Sequence, residues 1–101
     1  MLKIHKIFHN IAFMKDYKYK INEYLRGLPM KDYKKAMKII PRILNVSENT
    51  FHNYRNIQLG ENKDIPYEKV KRLELLFGIG DGKLENYQIE CKHITEILKE
   101  N

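Results

Sequence analysis

Apolar residues recur every three or four positions through most of the 101-residue chain, and this spacing predicts helices. No segment alternates apolar and polar residues strictly enough to predict a strand. The first predicted helix runs from about Asp16 to Arg26, with Asp16 where negative charge favours a helix start. Its apolar stripe comprises Tyr17, Ile21, Tyr24, Leu25 and Leu28. Gly27 and Pro29 then interrupt the pattern.

A second helix is predicted to begin near Lys31, and Pro41 interrupts it. Its inward residues are Tyr33, Ala36, Met37, Ile40, Ile43 and Leu44. A proline inside a helix removes one hydrogen bond and clashes with the preceding turn. Two alternatives therefore stay open: the helix kinks at Pro41, or Pro41 lies in the first turn of a new short helix.

A turn and two further helices are predicted next. Asn45 accepts the left-handed conformation that ends many helices, and Ser47 is a strong N-cap for a helix from Glu48 to about Ile57. After a polar loop over 58–66, a helix is predicted over 67–77 and Gly78 ends it. Its inward residues are Val70, Leu73, Leu76 and Phe77, and its outward residues are Lys69, Lys71, Arg72 and Glu74.

The two ends of the chain complete the predicted organisation. Residues 1–13 place four apolar side chains on one helical face and form either an arm helix or a leader. The tail from Leu84 to Lys99 predicts an amphipathic helix with the stripe Tyr87, Cys91, Ile94 and Leu98. We predict an all-α fold of about five helices, with an arm or leader over 1–13, a helix-turn-helix domain over 14–80 and an amphipathic tail over 81–101.

Composition and charge narrow the class of protein. An apolar content of 43% is typical of a globular domain, and no apolar run reaches the roughly 20 residues that span a bilayer. A single cysteine excludes an internal disulfide, which is typical of a reducing compartment. From these two observations we expect a cytoplasmic protein without a membrane segment. Residues 14–42 hold nine basic and three acidic residues, whereas residues 43–101 hold eight basic and ten acidic ones. Such a polarised charge attracts polyanions, although a solubilising surface has the same composition.

The stretch from Pro41 to Asn56 has the apolar skeleton of a helix-turn-helix. Ile43 and Leu44 end one helix, Val46 lies in the turn, and the next helix directs Phe51 and Tyr54 inward. The other face of that helix is polar and holds Glu48, Asn49, His52, Asn53, Arg55 and Asn56. Asparagine can hydrogen-bond adenine, and arginine can bind guanine or phosphate.

This stretch resembles the phage repressor and Cro-like helix-turn-helix family, also called the xenobiotic-response-element type. The residues that carry the resemblance are Leu44, Asn45, Val46, Ser47, Thr50, Phe51, Tyr54, Arg55 and Asn56. The segment 65–79 is similar to the fourth helix of that family, so the resemblance covers about Tyr33 to Ile79. Asn45 replaces the usual glycine, Pro41 replaces a small helix residue, and the loop over 58–64 is longer than usual.

The resemblance implies sequence-specific binding of double-stranded DNA by a small transcriptional regulator without a cofactor. Its recognition positions correspond to Glu48, Asn49, His52 and Asn53. Contacts to the DNA backbone would come from Lys34, Lys35, Lys38, Arg55, Asn56 and Lys63. Glu48 is repelled by phosphates, so it either accepts from a cytosine amino group or only caps the helix. Such regulators usually form homodimers. The tail stripe either forms that dimer surface or packs back on the domain.

The sequence does not predict a metal site, a phosphate loop or an enzyme. His5 and His9 are spaced i, i+4 but lack a third ligand, so we predict no metal site. Gly78, Gly80 and Gly82 follow a helix rather than a strand, which is typical of a turn and not of a phosphate loop. Cys91 is expected to be a buried small apolar residue. No nucleophile–base pair is interpretable, so we expect no enzyme.

Two alternative functions stay open. The first is a protein-interaction module that keeps the helix-turn-helix fold without binding DNA, such as an adaptor or an antitoxin, because a fold does not determine a function. The acidic Glu48 and the proline at position 41 favour this alternative, whereas the basic run before Arg42 favours DNA. The second is an RNA-binding protein, which the seven tyrosines suggest, although most of them lie on apolar stripes.

Overall fold

A computed structural model describes residues 16–101. It contains the helices α1 (Ile21–Arg26), α2 (Met30–Leu44), α3 (Glu48–Asn56), α4 (Tyr67–Phe77) and α5 (Ile94–Glu100). Within this range there is no strand, only two isolated antiparallel bridges, so the predicted all-α class is confirmed. None of these five helices is long and apolar enough to cross a membrane. The predicted arm or leader over 1–13 lies outside the described residues.

The first helix begins at Ile21 and not at Asp16 as predicted. The residues before it are extended because their backbone groups bond to distant segments. The Lys18 N–H donates to the Ile57 carbonyl at 2.8 Å, and the Lys20 N–H donates to the Leu84 carbonyl at 2.7 Å. The carbonyl of Asp16 accepts from Leu59 N–H in the same arrangement, so Asp16 caps no helix. Tertiary hydrogen bonds have outweighed the local helical pattern.

Helix α2 runs without interruption through Pro41, so no new helix begins there. Pro41 lies in the last turn, where the missing N–H costs a single helical bond, and its ring is fully buried. The helix ends at Asn45 in the left-handed conformation, with φ 57° and ψ 46°. The carbonyl of Pro41 accepts from Val46 N–H at 2.9 Å, which satisfies a carbonyl of the last turn. The predicted turn at 45–47 is confirmed.

Eleven buried apolar residues form one core, which joins the four helices α1, α2, α3 and α4 with the segments before, between and after them. They are Tyr19, Ile21, Leu25, Ile40, Leu44, Phe51, Ile57, Ile65, Val70, Leu73 and Leu84. Three residues predicted to face inward are instead exposed at about two-fifths of their surface, namely Leu28, Ile43 and Leu76. The opposite error concerns Glu74, which was predicted to face outward and is 1% exposed.

Glu74 anchors the segment that follows α4. One carboxylate oxygen accepts from Lys71 Nζ at 3.0 Å, and the other accepts from the backbone N–H of Leu84 at 3.2 Å. The hydrogen bond to Glu74 raises the pKa of Lys71. Leu84 is fully buried and its carbonyl accepts from Lys20, so the packed part of the chain continues past residue 80.

The predicted tail helix over 84–99 is wrong in its first ten residues. Residues 84–86 run beside the extended segment before α1, and the Asn86 N–H donates to the Lys18 carbonyl at 2.9 Å. Only Ile94–Glu100 is helical, and none of its residues is buried. Cys91 is exposed rather than buried. The predicted stripe therefore does not form one helical face.

Lys18 fixes the loop between α3 and α4. Its ammonium group lies 2.6 Å from Asp64 Oδ1 and donates to the carbonyl of Lys63 at 2.8 Å. The hydrogen bond and the charge of Lys18 hold the pKa of the Asp64 carboxyl below its usual value. The neighbouring Tyr19 hydroxyl accepts from Ile65 N–H at 3.1 Å, and burial raises the pKa of this phenol. The loop is thus tied to the extended segment before α1.

Candidate nucleic-acid interface

Helix α3 is positioned by its cap and its apolar side. The Ser47 Oγ accepts from Thr50 N–H at 3.0 Å, which confirms the predicted N-cap and satisfies a free donor of the first turn. Phe51 is buried in the core, and Tyr54 packs against it. Helices α2 and α3 contact each other across the turn. The cap and these two aromatic residues determine which face of α3 remains in solvent.

The free face of α3 holds the four residues predicted to contact bases. Glu48, Asn49, His52 and Asn53 are all exposed. At about 100° per residue they occupy an arc of about 140° on the side opposite Phe51. The Asn56 amide is turned inward along the helix, where it donates to the His52 carbonyl at 2.8 Å. The exposed carboxylate, amides and imidazole offer donors and acceptors of the kind that base edges require.

Helix α2 carries a row of cations on its solvent side. This basic face consists of Lys31, Lys34, Lys35, Lys38 and Arg42, all of them exposed. Helical spacing places them within an arc of about 100°, opposite the buried Ile40 and Leu44. Among the described residues 16–101, none of these five cations lies within 4.0 Å of a carboxylate oxygen. Three of them, Lys34, Lys35 and Lys38, are predicted DNA-backbone contacts.

The basic residues of α4 are arranged differently. Lys69 and Arg72 pair with Glu68, at 3.1 and 2.6 Å, and Lys71 pairs with Glu74 at 3.0 Å. The hydrogen bond from Arg72, with a second one from Lys69, lowers the pKa of Glu68. These ion pairs neutralise charge locally, so α4 contributes less to the positive field of the described chain than the unpaired cations of α2 do.

The loop residue Lys63 is the sixth predicted backbone contact. It is exposed, and its ammonium group lies 3.7 Å from the carboxylate of Glu61. That contact is long and open to solvent, so it fixes the lysine weakly. Lys63 is therefore available to a ligand, but it lies on the loop after α3 rather than on the basic face of α2.

The side chain of Arg55 is held by hydrogen bonds to two other helices, whereas a flexible phosphate contact would extend freely into solvent. Its Nε donates to Asn22 Oδ1 at 2.8 Å, and its Nη2 donates to the Tyr33 hydroxyl at 3.2 Å. The Asn22 amide returns a bond to the Arg55 carbonyl at 3.3 Å. Arg55 is thus half-buried and joins α3 to α1 and α2. Asn22 was not predictable as part of this site, because one polar residue beside Ile21 gives no local signal.

A cleft of about 250 Å³ opens beside this arginine. Its walls come from three helices and from Tyr17 before α1, and the helical residues are Asn22, Arg26, Tyr33, His52, Arg55 and Asn56. Arg26 is exposed and has no carboxylate within 4.0 Å among residues 16–101. Because the lining residues are far apart in the chain, their spacing gave no sign of a shared site.

No family model, curated protein or solved structure matches the chain. Within residues 16–101 no three His, Cys, Asp or Glu side chains gather in a way that could hold a metal ion. The pair His5 and His9 lies outside the described residues.

Proposed function

We propose that the chain binds double-stranded DNA sequence-specifically as a small cytoplasmic transcriptional regulator. In this proposal α2, the turn and α3 act as a helix-turn-helix of the repressor and Cro-like type, with α3 in the major groove. The observation that carries the proposal is the basic face of α2. Its five cations have no carboxylate partner among the described residues, and the helix packs against the polar helix α3. A phosphate backbone is the polyanion that such a surface would attract.

Base recognition is assigned to the free face of α3. Asn49 and Asn53 each present an amide that can make two hydrogen bonds to adenine, worth roughly 1–3 kcal/mol of discrimination per bidentate contact. Ser47 already caps the helix through Thr50 N–H, so the cap does not require the Glu48 carboxylate. Glu48 is therefore assigned to a cytosine amino group, which carboxylates accept from.

A homodimer is part of the same proposal, because one helix reads only a few base pairs. Helix α5 supplies a surface for it, since Ile94 and Leu98 are 58% and 66% exposed. Sedimentation of the full chain would give the mass of the assembly. A Leu98→Asp variant should shift the chain toward the monomer, and an unchanged dimer would exclude α5 as the interface.

The test of DNA binding is fluorescence anisotropy of a labelled random-sequence duplex between about 50 and 200 mM salt. Each phosphate contact contributes about 0.9 to the slope of log affinity against log salt, so replacing Lys34, Lys35 and Lys38 by glutamine should lower that slope by about 2.7. The matched control replaces Lys20, Arg72 and Lys83 by glutamine, which lie outside both α2 and the α5 dimer surface. This control makes the same change in net charge at sites away from α2, and its slope should fall by less than about 1.

Absence of binding at the lowest salt would refute the proposal. Equal slopes for the two triple variants would show that net charge, and not the basic face of α2, produces binding. Base recognition is tested separately by selecting a preferred duplex. An Asn49→Ala/Asn53→Ala chain should keep its affinity for random DNA and lose its preference for the selected sequence.

One observation favours a second function, which is protein binding without DNA. Ile39 and Ile43 are 48% and 40% exposed on α2, beside the basic face. An apolar edge next to cations fits an acidic amphipathic helix of a partner. Replacing both isoleucines by glutamine should abolish binding of an acidic amphipathic peptide and leave affinity for DNA unchanged. A loss of DNA affinity in this variant would assign the two isoleucines to the DNA interface instead.

A further inference from the structure

The Arg55 cleft contains a half-buried cation that the described fold orients but does not neutralise. A guanidinium has five N–H donors, and Arg55 gives one to Asn22 and one to Tyr33, which leaves three. Both partners are uncharged. Among residues 16–101, no carboxylate oxygen lies within 4.0 Å of this guanidinium. Arginines removed from water are usually paired with an anion, and here the described protein does not supply one.

The remaining walls of the cleft also suit an anion. Arg26 contributes a second cationic side chain from α1, and His52 and Asn56 also line the cleft. No aspartate or glutamate lines the cleft. The Asn22 and Tyr33 bonds hold the Arg55 fork in one orientation, so little side-chain freedom is lost when a ligand binds.

We propose that this cleft binds a single phosphoryl group, with Arg55 as a fixed bidentate donor and Arg26 as the residue that closes over it. Planar guanidinium groups match the oxygen spacing of phosphate, and such charge-assisted bonds are stronger than neutral ones. Two sources share this chemistry: a phosphodiester of the DNA backbone and a free phosphate ester. If the phosphoryl group belongs to DNA, the inference extends the proposed function and rests on it. Binding of a free phosphate ester does not depend on the proposed function.

The position of His52 connects the cleft with the base-contact face. His52 lines the cleft and belongs to the exposed face of α3. A backbone phosphate bound at Arg55 would therefore lie next to His52, on the helix that also carries Asn49 and Asn53, and would hold the C-terminal end of α3 against the duplex. A free phosphate ester in the same place would compete with that contact.

The test follows the side-chain resonances of Arg55 Nε–H and the Asn22 amide in the isotopically labelled full chain. Inorganic phosphate and then a short duplex are added, each against sodium chloride of equal ionic strength. We expect saturable shifts with phosphate that chloride does not cause. Arg26→Gln should weaken phosphate binding about tenfold, as expected for the loss of a charge-assisted bond. Arg72→Gln is the matched control, because Arg72 is exposed on α4 and pairs with Glu68.

A second variant separates charge from geometry. Arg55→Lys keeps the charge and removes the planar fork, so it should weaken phosphate binding even where circular dichroism shows an unchanged fold. Arg26 is exposed and makes no ion pair with any described residue, so Arg26→Gln remains informative if Arg55→Lys unfolds.

The outcomes distinguish this inference from the proposed function. Saturable phosphate binding without DNA binding would support a free phosphate-ester site and refute the DNA function. The opposite outcome is DNA binding that leaves the Arg55 and Asn22 resonances unmoved and a salt slope that Arg26→Gln does not change. That outcome would refute phosphate binding in the cleft and leave the DNA function intact. If the duplex is the source, Arg26→Gln should lower the salt slope by about 0.9.

Discussion

Replacing Glu74 by alanine is the most direct test of how the end of the domain is held. The carboxylate is 1% exposed, and one of its oxygens accepts from the buried N–H of Leu84 at 3.2 Å. The carbonyl of Leu84 in turn accepts from the N–H of Lys20, which lies directly before α1. Removing the carboxylate therefore leaves a buried donor without an acceptor and loosens the contact between two distant segments of the chain.

The magnitude follows from the groups removed. A buried donor left unsatisfied costs about 1–3 kcal/mol. Loss of the one buried methylene group, Cγ, adds about 0.8 kcal/mol. We expect the free energy of unfolding to fall by about 3 kcal/mol for Glu74→Ala, which for a domain of this size lowers Tm by about 15 °C. Glu74→Gln keeps the volume and one acceptor, so its loss should be clearly smaller.

Urea unfolding followed by circular dichroism measures these changes, and amide exchange at Leu84 reports on the bond itself. The control is Glu90→Ala, because Glu90 is exposed and makes no side-chain hydrogen bond to any described residue. We expect Leu84 N–H to be protected in the unmodified chain and to exchange faster in Glu74→Ala. A loss below about 1 kcal/mol, with Leu84 still protected, would refute the anchoring role of Glu74.

Three further changes test the turn and the loop. Asn45→Ala should cost about 1–2 kcal/mol in urea unfolding because φ is 57° there, whereas Asn45→Gly should be far milder, and equal costs would contradict the conformational argument. Ser47→Ala should cost about 1 kcal/mol through loss of the N-cap, and Ser47→Thr should retain most of the stability. Lys18 lowers the pKa of Asp64, so this carboxylate stabilises the fold above pH about 4 and the contribution is lost as pH falls through its folded pKa. Asp64→Asn should therefore flatten the acid side of the stability profile, and an unchanged acid slope would show that the pair contributes nothing.

The sequence predicted best where structure is determined locally. Ser47 caps α3 as expected, Asn45 ends α2 in the left-handed conformation, and α4 begins and ends at the predicted residues. Each of these features depends on bonds within a few residues of the chain. The exposure of Asn49 and Asn53 was predictable for the same reason, because Phe51 determines which side of a short capped helix is buried.

The errors arose where distant segments compete with a local pattern. Tyr17 and Ile21 fit a helical stripe, yet the backbone before Ile21 bonds to residues 57–59 and 84–86 instead. Glu74 looked like a surface residue, because nothing nearby in the sequence indicates that Leu84 N–H needs its carboxylate. The Arg55 cleft was hidden for a similar reason, since its walls come from three helices and the segment before α1.

The basic face of α2 has no explanation in the stability of the described fold. Lys31 and Lys35, Lys34 and Lys38, and Lys38 and Arg42 are spaced i, i+4, and like charges at that spacing destabilise a helix. The helix is held by Ile40, Pro41 and Leu44 on its opposite side, and the packing of these residues does not require the cations. The lysines of α4 show the alternative, because they pair with carboxylates on their own helix. The chain therefore keeps mutually repelling cations on α2, the helix that packs against α3 and its candidate base-contact residues. Binding of a phosphate backbone would relieve that repulsion.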